Sequence, residues 1–162
     1  GLDPIDTGSI TLDGQPMPEG FQIHDAMDRG MALVPEDRQR QGLILPESVE
    51  DNLTLPSLKA FSKFLGLDRE SKGKAAHGLI QRMGIKTAKP SSPAQSLSGG
   101  NQQKCIISKW LLSKPKVLIL DEPTAGVDTE LRLTMWDFFK KINKICKLIL
   151  SKFIISNFRF FI

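Results

Sequence analysis

Two adjacent carboxylates follow an apolar run in the stretch VLILDEPTAGVD, residues 117–128. The run KVLIL has the composition of a strand that is buried on both faces, as the strands of a parallel sheet are. Because α/β proteins bind ligands at the carboxyl edge of such a sheet, Asp121 and Glu122 are predicted to lie at a ligand site. The first acid can hold magnesium through water, and the second can orient or deprotonate an attacking water.

A second stretch, SLSGGNQQK (residues 96–104), places a glycine pair in front of the helical pattern CIISKWLL. Glycines let the backbone approach an anion, and a helix amino terminus adds N–H donors and a favourable dipole. Ser98 can cap this helix and offer its hydroxyl. Alone, the pattern more often indicates a glycine-rich turn into a capped helix; the acidic strand that follows favours anion binding.

Together these stretches resemble the ATP-binding cassette (ABC) ATPases. LSGGNQQK is similar to the signature motif of that family, VLILDEPT to its Walker B strand and AGVD to its D-loop. NQQK and the upstream VPEDRQRQG resemble more narrowly the second cassette of the duplicated ATPases that drive ribose, galactose and xylose importers. The resemblance spans residues 1–142. It implies an α/β, P-loop NTPase-like cassette with a parallel sheet core and an inserted helical subdomain.

The resemblance also implies a role for each matching residue. Asp121 would hold Mg²⁺ through water, and Glu122 would be the catalytic residue that polarises the attacking water. Asp128 of the D-loop would couple two sites, and Glu36 stands at the Q-loop position, where most cassettes have glutamine. In this family the signature motif contacts the γ-phosphate of ATP held by a facing cassette. The residues that would contact that ATP are Ser98, Gly99, Gly100 and Gln102.

The implied cofactors are therefore ATP and Mg²⁺. The implied partners are a facing cassette, the membrane permease subunits and, indirectly, a periplasmic sugar-binding protein, at the cytoplasmic face of the inner membrane. The formal charge of +4 is mild, and no basic stripe with interleaved aromatic residues is visible, so no nucleic-acid partner is expected. Cys105 and Cys146 lack the spacing of metal ligands.

The sequence departs from the family pattern near both ends. No GxxxxGK[ST] phosphate loop occurs in the 162 residues, and the second cassettes of sugar importers themselves have a degenerate form of it. No histidine follows the last predicted helix, where the family has its switch histidine. The tail is rich in Ile, Phe, Lys, Ser and Asn, which fits a truncated or frameshifted gene end. These departures predict an incomplete cassette that is an ATPase by lineage and inactive alone.

Local signals divide the chain into four predicted segments. Asp13-Gly14 is a hairpin signal, Ser48 has the spacing of a helix cap, and Ala75, Ala76, Leu79, Ile80 and Met83 share one helical face. No strand is predicted between residues 48 and 96. The segments are a partial ATPase core (1–47), a helical subdomain (48–96), the signature helix, Walker B strand, D-loop and following helix (97–146), and an atypical tail (147–162).

Two other classes of protein share the signature and Walker B motifs. One is a non-transport cassette that acts on DNA or ribosomes, which would show heptads or a basic linker; neither is visible. The other is a regulatory or inactive half-cassette. The missing phosphate loop favours that second alternative for the isolated chain.

Overall fold

The structure is a computed structural model that describes residues 8–35, 37–64, 66–121, 138–140, 142–144 and 147–151. The strands among these residues are β1 (Thr11–Leu12), β2 (Gln15–Pro16), β3 (Met31–Val34), β4 (Ser62–Lys63), β5 (Gly66–Leu67), β6 (Val117–Asp121) and β7 (Lys147–Ser151). The α-helices are α1 (Ile23–Asp28), α2 (Val49–Thr54), α3 (Arg69–Met83) and α4 (Gly99–Leu111). A π-helical turn covers Arg38–Gly42, 3₁₀ turns cover Leu55–Phe61 and Ala94–Ser96, and residues 138–140 and 142–143 are helical.

Among the described residues, β3, β6 and β7 form a three-stranded parallel sheet, with β6 between β3 and β7. This confirms the predicted parallel strand. The prediction that this strand is buried on both faces is only partly right, because Leu118 and Leu120 are buried whereas Val117 and Ile119 are half-buried. The described helices therefore cover one face of β6 more completely than the other.

The hydrophobic core joins that face of the sheet to the helices. The α4 helix packs against β3, α2 and α3, so it forms the centre of the core. Its Ile106 and Ile107 are fully buried, as are Leu53 of α2 and Val34 of β3. The prediction for α3 also holds: Ala76, Leu79, Ile80 and Met83 are buried, and Ala75 is half-buried.

Two glycine turns fix the chain near the sheet. The hairpin β1–β2 turns at Asp13 (φ 51°) and Gly14 (φ 74°), the positive pair that a two-residue hairpin turn requires. Gly30 (φ 91°) follows α1, and its carbonyl oxygen accepts hydrogen bonds from the N–H groups of Lys116 (2.7 Å) and Val117 (3.1 Å). The Asp13-Gly14 prediction is thus confirmed, and Gly30 aligns β3 with β6.

The stretch between β3 and β6 is mainly helical. Ser48 caps α2 as predicted, because its Oγ accepts the N–H of Asp51 at 2.9 Å. The expectation of no strand here is wrong, since β4 and β5 pair in an antiparallel hairpin. Each strand has only two residues, which is too short for an alternating pattern to show in the sequence. None of the helices among the described residues has the length and apolarity needed to cross a membrane.

Candidate functional site

The carboxyl ends of the three parallel strands meet at one edge of the sheet. In the register, Val34 of β3 pairs with Leu120, and Asp121 of β6 pairs with Ser151. The half-buried Asp121 therefore lies at the edge where the chain also leaves β3 toward the turn at 38–42. The sequence predicted this position for Asp121. Three other predicted site residues lie outside the described residues: Glu36, Glu122 and Asp128.

The segment that follows β3 is held by its own acid and by α4. The backbone N–H of Arg40 donates to Asp37 Oδ1 at 3.0 Å, and the exposed Arg40 guanidinium lies 3.8 Å from Asp37 Oδ2. At the end of the turn, the Gly42 carbonyl oxygen accepts a hydrogen bond from Nζ of Lys109. The last turn of α4 therefore fastens the segment that leaves the acidic edge.

Burial governs the electrostatics of this part of α4. Lys109 is buried, and its ammonium also lies 5.6 Å from the centroid of the Trp110 ring. Loss of hydration lowers the pKa of Lys109 below its ordinary value. Burial likewise raises the pKa of the Cys105 thiol to about 12. Cys105 is therefore an unreactive core thiol.

The amino terminus of α4 differs from an ordinary capped helix. Ser98 occupies the N-cap position with extended backbone angles, yet its side chain makes no capping bond to a backbone N–H. The Ser98 Oγ instead accepts a hydrogen bond from Nδ2 of Asn101 at 2.8 Å. The prediction that the Ser98 side chain caps α4 is therefore wrong. The Asn101 amide donates to the Oγ with which a capping serine would accept a backbone N–H.

The same amide ties the loop to the turn after α3. Asn101 Oδ1 accepts the backbone N–H of Lys86 at 2.8 Å. One helical turn later, Lys104 Nζ donates to the carbonyl oxygen of Gly84 at 3.2 Å. Gly84 ends α3 in the left-handed conformation, with φ 63°. Two side chains on one face of α4 thus bind the carboxyl end of α3.

The predicted ATP contacts differ in their exposure. Ser98 and Gly99 are exposed, whereas Gly100 and Gln102 are buried. The Gln102 amide faces Ala94, with its Nε2 3.5 Å from that carbonyl oxygen. The surface at this loop is therefore formed by Ser98 and Gly99, and Gln102 supports it from inside.

The α4 helix separates the signature loop from the 38–42 turn. The loop lies at its amino end, and Lys109 contacts Gly42 in its last turn. At 1.5 Å per residue, Ser98 and Lys109 are about 16 Å apart along the helix axis. The loop and the end of the 38–42 turn therefore mark opposite ends of one helix.

Two residues of the site were not predicted from the sequence. Asn101 is part of the recognised motif, but nothing in its spacing indicates that it bonds to both Ser98 and Lys86. In the sequence, the position of Lys109 is typical of the polar face of an amphipathic helix, although in the structure it is buried and contacts Gly42. The interruption of a buried apolar run by a lysine is the one signal that could have identified it.

Solved structures show the same arrangement of sheet and helices. The ATP-binding cassette MJ0796, in a dimeric post-hydrolysis state bound to ADP and Pi, superposes with a TM-score of 0.72 at 20% identity, covering 94% of this chain and 66% of that one. CbiO1 from Clostridium perfringens, part of the cbiONQ ABC transporter complex, gives 0.69 at 24% identity, covering 90% and 56%. The fold is that of an ATP-binding cassette, a P-loop NTPase.

Sequence comparisons define the family. A family model described as ABC transporter matches residues 1–125, and the chain belongs to the ABC transporter family as an ATP-binding domain. It is 40% identical over 142 residues to the ribose import ATP-binding protein RbsA of Bacillus licheniformis, which covers 88% of this chain and 29% of the relative. It is 48% identical over 122 residues to the xylose import ATP-binding protein XylG of Pseudomonas savastanoi pv. phaseolicola, covering 75% and 23%. The chain spans less than a third of the length of these curated relatives.

Proposed function

We propose that this chain supplies the signature half of an ATP-hydrolysis site that it shares with a facing cassette, in an ABC importer of sugars. The observation that supports the proposal is the amino terminus of α4, where Ser98 leaves the helix N–H groups without a side-chain cap. Uncapped N–H groups and the helix dipole attract an anion, and a serine hydroxyl adds a donor. The relatives named for ribose and xylose import indicate the class of substrate.

In this proposal Ser98 and Gly99 contact the γ-phosphate of ATP that the facing cassette holds. Both are exposed, and the missing side chain of Gly99 lets its backbone approach the phosphate. Gly100 contributes its backbone at the start of the helix, and Gln102 supports the loop through Ala94. The amino terminus of α4 therefore contributes hydrogen-bond donors in fixed positions, which bind the negatively charged phosphate.

In a cassette that has its own phosphate loop, the acidic edge would serve the chemistry of a second nucleotide. Asp121 would hold Mg²⁺ through water, which fits a metal that keeps several waters and needs only one or two carboxylates. Glu122 polarises the attacking water, Glu36 belongs to the segment that responds to phosphate and metal, and Asp128 couples the two sites. Bound Mg²⁺ would neutralise the charge of the phosphates, and the carboxylates would position the Mg²⁺ and the attacking water.

The α4 helix separates the signature loop from the 38–42 turn. Its loop lies about 16 Å along the helix axis from the turn in which Lys109 meets Gly42, at 1.5 Å per residue. No GxxxxGK[ST] sequence occurs in the 162 residues. In this proposal the phosphate-binding loop that faces Ser98 belongs to another cassette, and these 162 residues alone do not turn over ATP.

Residues 48–96 are proposed as the subdomain that docks on the membrane permease at the cytoplasmic face of the inner membrane. Exposed apolar side chains are frequent in its 3₁₀ turn and hairpin: Leu55, Leu58, Phe64 and Leu67. Exposed apolar surface of this kind is typical of contact sites. Phe64→Ser should reduce co-purification with the permease subunits of a sugar importer. Ile23→Ser, which changes another exposed apolar residue, in α1, should not reduce it. Equal loss in both variants would contradict this docking site.

The decisive experiment measures ATP hydrolysis by the purified chain, alone and mixed with a first cassette that has an intact phosphate loop. We expect no turnover from the chain alone and stimulated turnover in the mixture. Ser98→Arg should abolish the stimulation because the larger cation fills the space of the phosphate. The matched control is Ser96→Arg, which changes an exposed serine of the 3₁₀ turn before the motif.

Three outcomes would contradict the proposal. Turnover by the chain alone, lost in Glu122→Gln, would show that it holds its own nucleotide phosphates. Absence of turnover in the mixture would favour an inactive half-cassette. Equal loss in Ser98→Arg and Ser96→Arg would show that the motif acts only through folding.

A further inference from the structure

Asn101 uses both ends of its side-chain amide. Its Oδ1 accepts the backbone N–H of Lys86, and its Nδ2 donates to Ser98 Oγ, both at 2.8 Å. A backbone N–H can only donate, so the bond to Lys86 fixes which end of the amide is the oxygen. The NH₂ end must therefore face Ser98, and the direction of that hydrogen bond follows from covalent chemistry.

This direction determines what the Ser98 hydroxyl can do. A hydroxyl has one donor hydrogen and two acceptor lone pairs. Because Asn101 donates to one lone pair, the hydrogen of Ser98 points elsewhere, and Ser98 is exposed. A phosphate oxygen only accepts, so a hydroxyl with its hydrogen directed outward is the form that a phosphate requires.

Another serine of the same chain shows the usual alternative. Ser48 also begins a helix, with nearly the same backbone angles as Ser98, and its Oγ accepts the N–H of Asp51. Ser98 makes no such bond. The two serines differ in the side chain three residues on. The Asp51 carboxylate accepts the hydroxyl hydrogen of Ser48, whereas the Asn101 amide donates to Ser98 and leaves its hydrogen available.

We propose that Asn101 is a positioning residue that keeps Ser98 out of its capping role, so that the Ser98 hydroxyl donates to a terminal phosphate oxygen. The inference rests on the proposed function for the identity of the phosphate, that of ATP in a facing cassette. It goes further in assigning the orientation of the hydroxyl to Asn101. Since Asn101 also binds Lys86, the carboxyl end of α3 sets where that hydroxyl lies.

The test uses inorganic tripolyphosphate and the full 162-residue chain, so that it does not depend on a partner cassette. Binding is followed by NMR shifts of the backbone amides of residues 98–101. We expect Asn101→Leu to weaken affinity about tenfold, because one oriented donor is lost, and Ser98→Ala to weaken it similarly. The double variant should bind as Ser98→Ala does, since Asn101 acts through Ser98. Gln81→Leu, a matched amide-to-leucine change on the exposed face of α3, should leave affinity unchanged.

Each other result overturns the inference. If the wild-type chain does not bind tripolyphosphate, the uncapped terminus is not an anion site. If Asn101→Leu weakens binding equally in the presence and absence of Ser98, the residue only fastens the loop to Lys86. Failure of the proposed function would be seen separately, as loss of stimulated turnover in the cassette mixture with tripolyphosphate binding intact.

Discussion

Lys109 donates a hydrogen bond from its buried ammonium to the carbonyl oxygen of Gly42. Another buried lysine, Lys72, pairs with the carboxylates of Asp51 and Glu50. No salt bridge joins Lys109 to a carboxylate among the residues that the structure describes. A charge buried against a neutral acceptor destabilises the fold more than a paired one, which is why burial lowers the pKa of Lys109.

The pH dependence of stability should reveal this charge. The unfolded chain holds the Lys109 proton up to a higher pH than the folded chain does, so the unfolded state binds more protons and stability rises with pH. As the pH rises toward 10.5, the ordinary value for a lysine, the free energy of unfolding should rise relative to that of Lys109→Met. Urea unfolding in a Cys105→Ala background measures this without interference from the thiol. A constant difference across this range would contradict the lowered pKa.

Cys105 should give a pH dependence of the opposite sign. Its pKa is about 12 in the folded chain against an ordinary value of 9.0, so above pH 9 unfolding releases a proton and stability falls. From pH 8 to pH 10 the chain should lose about 1.4 kcal/mol relative to Cys105→Ala. The comparison of urea unfolding curves at the two pH values checks this. Parallel behaviour of the two proteins would show that the folded thiol ionises normally.

Gly30 and Gly78 form a matched pair for glycine-to-alanine substitution. Gly30 has φ 91°, and a Cβ there would lie 3.0 Å from Cγ of Lys116. Gly30→Ala should therefore cost about 1–3 kcal/mol from left-handed strain. Gly78 lies inside α3 with nothing near its Cβ position, and Gly78→Ala should stabilise by about 0.5–1 kcal/mol. Thermal unfolding of both variants tests the contrast, and a shift of the same sign in both would refute it.

Asn52 joins α2 to the chain that follows the 38–42 turn. Its Oδ1 accepts the N–H of Ile44 at 2.8 Å, and its Nδ2 donates to the carbonyl oxygens of Ile44 (2.9 Å) and Ser48 (3.0 Å). Asn52→Asp would place a buried carboxylate against those carbonyl oxygens and should cost about 3 kcal/mol or more. Gln81→Glu, the same chemical change on an exposed position of α3, should cost under about 0.5 kcal/mol. Chemical denaturation of the two variants measures the difference, and similar losses would argue against a network centred on Asn52.

The sequence predicted the features whose signals are local. The hairpin at Asp13-Gly14 follows from two residues that tolerate positive φ, and the cap at Ser48 follows from its spacing to Asp51. The parallel strand β6 follows from a short apolar run ending in acids. In each case the residues that determine the structure are neighbours in the chain.

The features that were missed depend on contacts between distant segments. The bond from Lys109 to Gly42 joins residues far apart in sequence, and no periodicity indicates it. The predicted cap at Ser98 failed because Asn101 competes for the same hydroxyl, an outcome that composition cannot decide. The hairpin β4–β5 is too short for its pattern to be seen. The roles of Glu36, Glu122 and Asp128 stay predictions, since these residues lie outside the described part of the chain.

The attachment of the signature loop to the end of α3 has a mechanical consequence. The helix has 15 residues and is about 22 Å long. If it tilts by about 10° around its first turn, next to the β4–β5 hairpin, its last turn moves by about 4 Å, as follows from that length. Lys104 and Asn101, which are bonded to Gly84 and Lys86, would then be displaced with it. In such a tilt the α3 helix would act as a lever, because a small rotation at the hairpin would displace its last turn, to which Asn101 is bonded, by more than the length of a hydrogen bond.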